Sequence, residues 1–133
     1  MRFMMIVKAD DRSEAGVLPT EQELADMAKY NEQLVKAGVM LAGEGLQASS
    51  KGAKVRFDGA KRIVTDGPFT EAKELIAGFW LIQVKSKEEA IEWAKRIPFT
   101  EGEIELRQVF ELEDFGEGEA IEHHRRIGEQ LAR

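Results

Sequence analysis

Apolar residues recur along this chain with a period of two in some segments and near 3.6 in others. The segments Arg2 to Lys8 and Leu75 to Val84 are apolar at both alternating sets of positions. This pattern predicts strands that are buried on both faces. Glu103 to Leu112 instead alternates, with Ile104, Leu106, Phe110 and Leu112 on one face and Glu103, Glu105, Arg107 and Glu111 on the other, which predicts a strand with one solvated face.

Helical spacing follows two capping boxes, in which a Ser or Thr precedes a Glu by three residues. The first apolar stripe starts after Thr20 and stops at Gly38, and the second starts after Ser86 and stops before Pro98. Glycine and proline are common helix terminators, so each stripe predicts one helix. The tail from Glu117 to Arg133 also carries apolar residues at helical spacing and predicts a third.

The middle of the chain contains shorter strand signals. Val39 to Ala42 predicts a strand that leads into a turn at Gly43-Glu44-Gly45. Two further runs, Ala53 to Phe57 and Arg62 to Thr65, flank Asp58-Gly59, and Asp-Gly between such runs is a strong signal for a β-hairpin.

The order of elements is strand, helix, strand, hairpin, strand, helix, strand, helix. It predicts a ferredoxin-like α+β fold, in which helices cover one face of an antiparallel sheet and the hairpin is an insertion. Strands that are apolar on both faces would leave an exposed apolar patch on a monomer, so we predict a sheet-to-sheet homodimer with two-fold symmetry. We expect one domain over residues 1–133, with 113–133 as a C-terminal helical extension.

Composition narrows the class of protein. The chain has 133 residues, of which 43% are hydrophobic and 33% charged, as in soluble globular domains, and no apolar run is long enough for a membrane span. We therefore expect a cytoplasmic protein with no membrane partner. Cysteine is absent, which excludes disulfides and thiolate chemistry. A net charge of −6 without a basic cluster argues against nucleic acid as a partner.

The segment from Asp66 to Glu74, Asp-Gly-Pro-Phe-Thr-Glu-Ala-Lys-Glu, concentrates ionisable groups in a stiff turn. Pro68 restricts the backbone, and the Asp66 carboxylate is expected to accept hydrogen bonds from N–H groups two or three residues on. Asp66, Glu71 and Lys73 would bring carboxylates and an ammonium to one small site, which suits acid–base chemistry. The same residues also suit a purely structural turn.

Other candidates lie outside this turn. Glu44 stands between glycines, which allow a ligand to approach closely or simply form a turn. Asn31 falls on the apolar stripe of the first helix, where its amide needs a hydrogen-bonding partner or a polar cavity. Tyr30 and Trp80 can line an apolar pocket or belong to the core.

Charged residues on the strands form a further candidate group. Arg107 can meet a ligand anion or pair with Glu105, and Lys8 joins the same patch if the first and last strands are neighbours. His123 and His124 point to different faces of a helix, so we predict no metal site. The chain has no P-loop, dinucleotide fingerprint, HExxH or GxSxG motif, and we predict no cofactor.

Short motifs on both sides of the Asp66-Gly67-Pro68-Phe69 turn complete a pattern. They are Glu71, Lys73 and Glu74, then Gly78-Phe79-Trp80, Glu89-Ala90 and Trp93-Ala94, with Ala37-Gly38-Val39 and Gly43-Glu44-Gly45-Leu46 upstream. With them, the chain resembles the DGPF-domain proteins of the YCII-related family over roughly residues 1 to 112. The resemblance implies a ferredoxin-like fold and the dimeric α/β-barrel superfamily, whose sheets pack face to face around a cavity.

The resemblance also implies a class of function. Superfamily members with assigned reactions are small-molecule enzymes, such as muconolactone isomerase, a YCII-like dehydrochlorinase and oxygenases that need no cofactor. For this chain it implies a small-molecule ligand in a cavity near the dimer interface and an acid–base reaction of isomerase or lyase type. Because DGPF-domain proteins are often encoded beside extracytoplasmic-function sigma factors, the alternative is a non-catalytic binding or accessory module in stress signalling.

The catalytic residues that the resemblance implies differ from those of other family members. Some YCII proteins pair a histidine in the first helix with an aspartate, whereas this chain has no histidine before His123. Asn31 lies where such a side chain would point, and asparagine cannot take up a proton at neutral pH. Asp66 or Glu44 is left as the base, and the expected substrate-binding residues are Asn31, Phe69, Glu71, Lys73, Trp80 and Arg107.

Overall fold

The computed structural model describes residues 1–71 and 74–132. The strands are β1 (Arg2–Lys8), β2 (Met40–Gly45), β3 (Ala53–Asp58), β4 (Lys61–Asp66), β5 (Ile76–Gln83) and β6 (Ile104–Gln108). The α-helices are α1 (Asp11–Glu14), α2 (Glu21–Lys36), α3 (Lys87–Lys95) and α4 (Glu119–Leu131), with short 3-10 helices at Ser49–Lys51 and Leu112–Phe115.

The main sheet is four-stranded and antiparallel in the order β2-β5-β1-β6, and β3 and β4 form a separate two-stranded sheet. Each half of the chain contributes one central and one edge strand to the main sheet, joined through a helix. This arrangement is the ferredoxin-like topology with an inserted hairpin, so the predicted fold class is confirmed. None of the helices in the described part of the chain is both long and apolar enough to cross a membrane.

Helices α2 and α3 cover one side of the main sheet, which we call the closed face. Its core is formed by Phe3, Met5, Trp80, Ile82 and Val84 of the sheet region with Tyr30, Leu34, Ala90, Trp93 and Ile97 of the helical layer. The capping boxes predicted the helix starts correctly: the hydroxyl oxygens of Thr20 and Ser86 accept hydrogen bonds from the backbone N–H groups of Glu23 and Glu89.

The predicted turn at Gly43-Glu44-Gly45 is wrong, because these residues continue β2 and pair with β5. Glycine on β5 explains the close approach of the two strands. A Cβ added to Gly78 would lie 2.9 Å from the carbonyl oxygen of Glu44, so a larger residue would push β2 away. Glu44 is therefore a strand residue that pairs with Phe79 rather than a turn residue.

The prediction that the last strand extends to Leu112 is also wrong. β6 ends at Gln108, which is paired with Phe3 near the start of β1, so its neighbour offers little further chain to pair with. Phe110 is consequently not part of the strand face. It is exposed and stacks on Phe115 with ring centroids 4.7 Å apart.

Candidate functional site

The side of the main sheet opposite α2 and α3 has an apolar centre, and we call it the open face. Its central side chains are Met4 and Ile6 of β1 and Phe79 and Leu81 of β5, all half-buried. They alternate along each strand with the core residues Phe3, Met5, Trp80 and Ile82. The helices of the core therefore leave this second apolar set partly accessible.

Charged residues mark both edges of the open face. On β2, Glu44 is paired with Phe79, so its exposed carboxylate stands beside the apolar centre. On the other side, Arg107 is paired with Met4 and Glu105 with Ile6. β2 and β6 are separated by about 14 Å at the usual spacing of neighbouring strands. Glu44 and Arg107 thus lie on one face but do not meet within a chain.

Glu105 is held between two cations at the β6 edge. The Lys8 Nζ atom lies 3.0 Å from Glu105 Oε1, and Arg107 Nη1 lies 3.3 Å from Glu105 Oε2. The hydrogen bond from Lys8, followed by that from Arg107, lowers the pKa of the Glu105 carboxyl below its usual value. Lys8 therefore joins this patch, as predicted for neighbouring first and last strands. Of the two alternatives for Arg107, the structure shows the ion pair with Glu105.

The turn after β4 is fastened to a neighbouring segment by its backbone. Gly67 donates its N–H to the Gly52 carbonyl at 3.0 Å, and Phe69 donates its N–H to Ser49 Oγ at 3.0 Å. The expectation that Asp66 accepts the N–H three residues on is therefore wrong, because Ser49 takes it. The Asp66 carboxylate is left exposed at the end of β4.

Ser49 is itself held by Glu14 at the end of α1. Its N–H donates to Glu14 Oε1 at 3.0 Å, and its hydroxyl donates to Glu14 Oε2. The turn also requires glycine at position 67, because an added Cβ would lie 1.7 Å from the Ser49 carbonyl oxygen. Sequence reasoning missed Glu14 and Ser49, since no local pattern indicates a contact between residues 35 positions apart.

The remaining turn residues have diverse surroundings. Phe69 is half-buried, and Lys54 Nζ lies 4.2 Å from its ring centroid, within the range of a cation–π contact. Glu71 is exposed, and its carbonyl accepts the N–H of Glu74 at 2.9 Å. Lys73, the predicted cation of this turn, lies outside the described residues.

Asn31 and Trp80 belong to the closed face and bind each other. The indole N–H of Trp80 donates to the half-buried Asn31 at its Oδ1 atom over 2.8 Å, which provides the acceptor that a buried indole needs. Tyr30 packs edge to face on Trp80 with ring centroids 5.5 Å apart and donates its hydroxyl to the Trp93 carbonyl at 2.7 Å. Burial raises the pKa of Tyr30 to about 12.

The predicted site residues thus occupy separate places within the described chain. Glu44 and Arg107 stand on opposite edges of the open face, whereas Asp66, Phe69 and Glu71 follow the hairpin. Asn31 and Trp80 are hydrogen-bonded to each other on the closed face. A single chain therefore does not bring the full predicted set into one cleft.

The model of the YCII-related domain matches residues 1–113. This chain belongs to the YCII-related family. Helix α4 lies beyond the matched region. A protein of similar sequence is an uncharacterized protein of Rhizobium meliloti (strain 1021), which is 33% identical over 75 residues. That match covers 56% of this chain and 60% of the relative, so the chain spans less than two thirds of the relative's length.

Among solved structures, this YCII-related chain is similar to 5-chloro-2-hydroxyhydroquinone dehydrochlorinase from Burkholderia phenoliruptrix AC1100, determined in complex with 2,5-dihydroxybenzoquinone. The match covers 83% of this chain and 94% of the dehydrochlorinase chain. Sequence identity is 14% and the TM-score is 0.41.

Proposed function

We propose that the protein is a homodimer that packs through its open face and binds a small molecule at the edge of that interface. The observation that carries the proposal is the composition of the open face, which has an apolar centre and charged edges. Apolar side chains such as Phe79 and Leu81 favour association, because each loses contact with water when a second sheet covers it. Charged groups at the rim remain available to a ligand.

The proposed chemistry is proton transfer by a carboxylate. Asp66 and Glu44 are both exposed; Glu44 is paired with Phe79, and Asp66 precedes Phe69 by three residues in the turn after β4. Either carboxylate would take a proton from a carbon next to a carbonyl group of the ligand and return it at another position, as in an isomerisation. Arg107 or Lys73 would offset the negative charge that develops on the carbonyl oxygen.

Asp66 has the better support as a positioned group. Its turn is fixed by the hydrogen bonds to Gly52 and Ser49 and by the tight packing of Gly67. A carboxylate on a rigid support loses little freedom on binding a ligand, and this favours both binding and catalysis. Glu44 has the complementary advantage that it borders the apolar centre of the open face.

Thermal-shift screening against small carbonyl compounds and organic acids tests the proposal, with wild type, Asp66→Asn, Glu44→Gln and the control Glu113→Gln. Every compound that raises Tm is then incubated with each protein in D₂O, and deuterium uptake next to the carbonyl is followed by NMR. We expect wild type and Glu113→Gln to catalyse uptake, and one of the two site variants to bind the compound without catalysing uptake.

Two results would count against this function. Stabilising compounds that never exchange deuterium would indicate a binding module without acid–base activity. If Asp66→Asn and Glu44→Gln bind and react with every compound as wild type does, neither carboxylate is the base. A lower Tm for Asp66→Asn alone would then show that Asp66 has a structural role.

A further inference from the structure

Strands β3 and β4 expose one largely apolar side of their hairpin, and we call this side the hairpin face. Residues directly opposite each other in an antiparallel pair lie on the same side, and alternate pairs share it. All members of the face are exposed, with Phe57 at 71% and Val64 at 65%. From the base of the hairpin to its tip, the pairs on this face are Ala53 with Asp66, Val55 with Val64, and Phe57 with Arg62. A two-stranded hairpin is only marginally stable in water, so its exposed apolar side is suited to contact with a partner.

The hairpin face carries one charge at each end. Asp66 at the base and Arg62 at the tip are four residues apart on β4, or about 13 Å along the strand. Arg62 donates Nη1 to the carbonyl oxygens of Gly59 and Lys61, both at 2.9 Å. Its guanidinium group also lies 4.7 Å from the centroid of the Phe57 ring. These contacts hold the side chain at the tip without neutralising it, because carbonyl groups and aromatic rings carry no net charge.

The opposite side of the hairpin has a different character. Its charged residues are three cations and one carboxylate: Lys54, Arg56, Lys61 and Asp58. Two such sides would repel each other, because each has an excess of positive charge. The hairpin face has one cation and one carboxylate, so it is the side on which two copies can pack.

A second copy that is turned end to end matches the hairpin face in charge. A two-fold axis that lies between the two faces and crosses the strands at the middle pair of valines places the base of each hairpin opposite the tip of the other. Asp66 of each copy then faces Arg62 of the other. An axis parallel to the strands would instead place Asp66 opposite Ala53 and Arg62 opposite Phe57, which leaves both charges unmatched. Charge therefore selects the axis that crosses the strands.

The sizes of the side chains match in the same arrangement. Ala53 of each copy lies opposite Phe57 of the other, so a small side chain meets a large one. Val55 and Val64 each lie opposite their own counterparts at the centre. Alternation of large and small groups allows two sheets to interdigitate closely.

We propose that the hairpin faces of two copies pack on each other about a two-fold axis that crosses their strands. The contact covers the apolar side chains of Val55, Phe57 and Val64 in both copies. Because it is symmetric, it forms the ion pair between Asp66 and Arg62 twice. It is a second interface, separate from the open face.

The area of the contact determines its strength. Two strands at about 4.8 Å spacing and six residues at about 3.3 Å cover roughly 190 Å² in projection. Stable interfaces bury about 800 Å² per partner, so the contact between isolated chains is weak and depends on concentration. An open-face dimer would carry two hairpins, and two contacts between such dimers would strengthen each other.

The contact also brings a cation to Asp66. The guanidinium group of Arg62 from the other copy would stand beside the carboxylate and offset negative charge on the carbonyl oxygen of a ligand, as proposed for Arg107 or Lys73. The site at Asp66 would then be formed by two chains. This consequence rests on the proposed function, whereas the packing of the hairpin faces does not.

Cross-linking at a chosen position tests the contact, because the chain has no cysteine of its own. Val64→Cys places one thiol at the centre of the hairpin face, where the same thiol of the second copy lies about 10 Å away across the two sheets. A bismaleimide of that span joins them. The matched control is Thr65→Cys, at the neighbouring exposed residue on the opposite side of β4. The rate of linking is followed by denaturing gel electrophoresis, with circular dichroism to confirm folding.

Charge reversal in the Val64→Cys protein tests the orientation. Arg62→Glu and Asp66→Lys are introduced singly and together. Lys61→Glu is the control, because it reverses an exposed charge on the opposite side of the tip. The rate of linking is measured for each protein at low and at high salt.

We expect Val64→Cys to link several times faster than Thr65→Cys. Each single reversal should slow the linking by about tenfold at low salt, because it places like charges together at both ends of the contact. The double reversal should restore the rate to within about threefold, since opposite charges face each other again. Lys61→Glu should not slow the linking, and high salt should reduce the differences.

The failures of this contact and of the open-face dimer are distinguishable. If Val64→Cys links no faster than Thr65→Cys, the hairpin face is not an interface between copies, even where sedimentation shows a dimer that Leu81→Glu disrupts. If the single reversals slow the linking and the double reversal does not restore it, the proposed pairing of Asp66 with Arg62 is wrong. Selective linking of Val64→Cys with recovery in the double reversal supports the contact, even if wild type is otherwise a monomer and the open-face dimer is wrong.

Discussion

The two faces of β5 show how similar side chains take different roles. Ile82 on the closed face is completely buried beneath the helices, whereas its neighbour Leu81 on the open face is only half-buried. Both side chains are aliphatic, and both belong to the segment Leu75 to Val84, which is apolar at both alternating sets of positions. The helices of the chain itself cover the closed face, and the side chains of the open face remain partly accessible.

Polar groups on the two faces differ in the same way. Trp80 and Tyr30 direct their polar atoms to Asn31 and the Trp93 carbonyl, so the closed face contains satisfied internal hydrogen bonds. On the open face, Glu44 is exposed and Arg107 pairs with the partly exposed Glu105. Satisfied polar groups stabilise a fold, whereas accessible charges are available to a ligand.

The largest predicted difference is between truncations of neighbouring β5 residues. Ile82→Ala should lower the free energy of unfolding by about 2–5 kcal/mol, because it leaves a cavity in a closely packed core. Leu81→Ala should cost much less within one chain and should instead weaken the dimer. Urea unfolding over a range of protein concentrations measures both effects, and equal, concentration-independent losses would remove the distinction between the faces.

A smaller effect is predicted for the hydrogen bond inside the closed face. Asn31→Ala should cost about 1–3 kcal/mol, because the buried Trp80 N–H loses its acceptor. Gln33→Ala on the exposed side of the same helix is the control and should stay within about 0.5 kcal/mol of wild type. A stable Asn31→Ala variant that loses ligand binding would instead assign Asn31 to the ligand site.

Alkaline pH should weaken the closed face through Tyr30. The pKa of Tyr30 in the folded state is raised to about 12 from the usual 10.0, so the folded state holds this proton more tightly than the unfolded state. Stability from this group is full below pH 10 and is lost as the pH rises towards 12, by at most about 1.4 kcal/mol per pH unit.

This titration is readily observed, because Tyr30 is the only tyrosine in the chain. Absorbance at the tyrosinate band should therefore show a single transition well above pH 10, or one that coincides with unfolding. A midpoint near pH 10 in the folded protein would show that Tyr30 is accessible to water and that the closed face is less well packed than described.

The smallest predicted effect concerns the turn that follows β4. Ser49→Ala should lower the free energy of unfolding by about 1 kcal/mol, because the Phe69 N–H and Glu14 lose a shared partner. Ser50→Ala is the matched control. The Ser49→Ala variant should also impair any function of Asp66. If the destabilised Ser49→Ala protein binds its ligand as wild type does, Ser49 stabilises the turn but does not position a ligand site at Asp66.

Patterns local in sequence predicted most of the fold. The capping residues Thr20 and Ser86 specified both core helices, and Asp58-Gly59 specified the hairpin. The errors arose where a partner strand decides the outcome: Glu44 continues a strand because β5 approaches it closely, and β6 ends where β1 offers little further chain to pair with.

The candidate site was less predictable for the same reason. The sequence pattern does not distinguish which apolar set of a two-sided strand the helices will cover, so it left both a core and a pocket position open for Trp80. The support for the Asp66 turn comes from Glu14 and Ser49, which are distant from it in sequence and become neighbours only in the fold. Linear motifs identified the turn but not the residues that hold it.

Sedimentation equilibrium tests the central claim about the open face most directly, with wild type, Leu81→Glu and the exposed-leucine control Leu18→Glu compared at micromolar concentration. The account predicts that wild type and Leu18→Glu sediment as dimers of the 15.0 kDa chain, and that Leu81→Glu is a folded monomer. A monomeric wild type, or a Leu81→Glu variant that dimerises as wild type does, would contradict it.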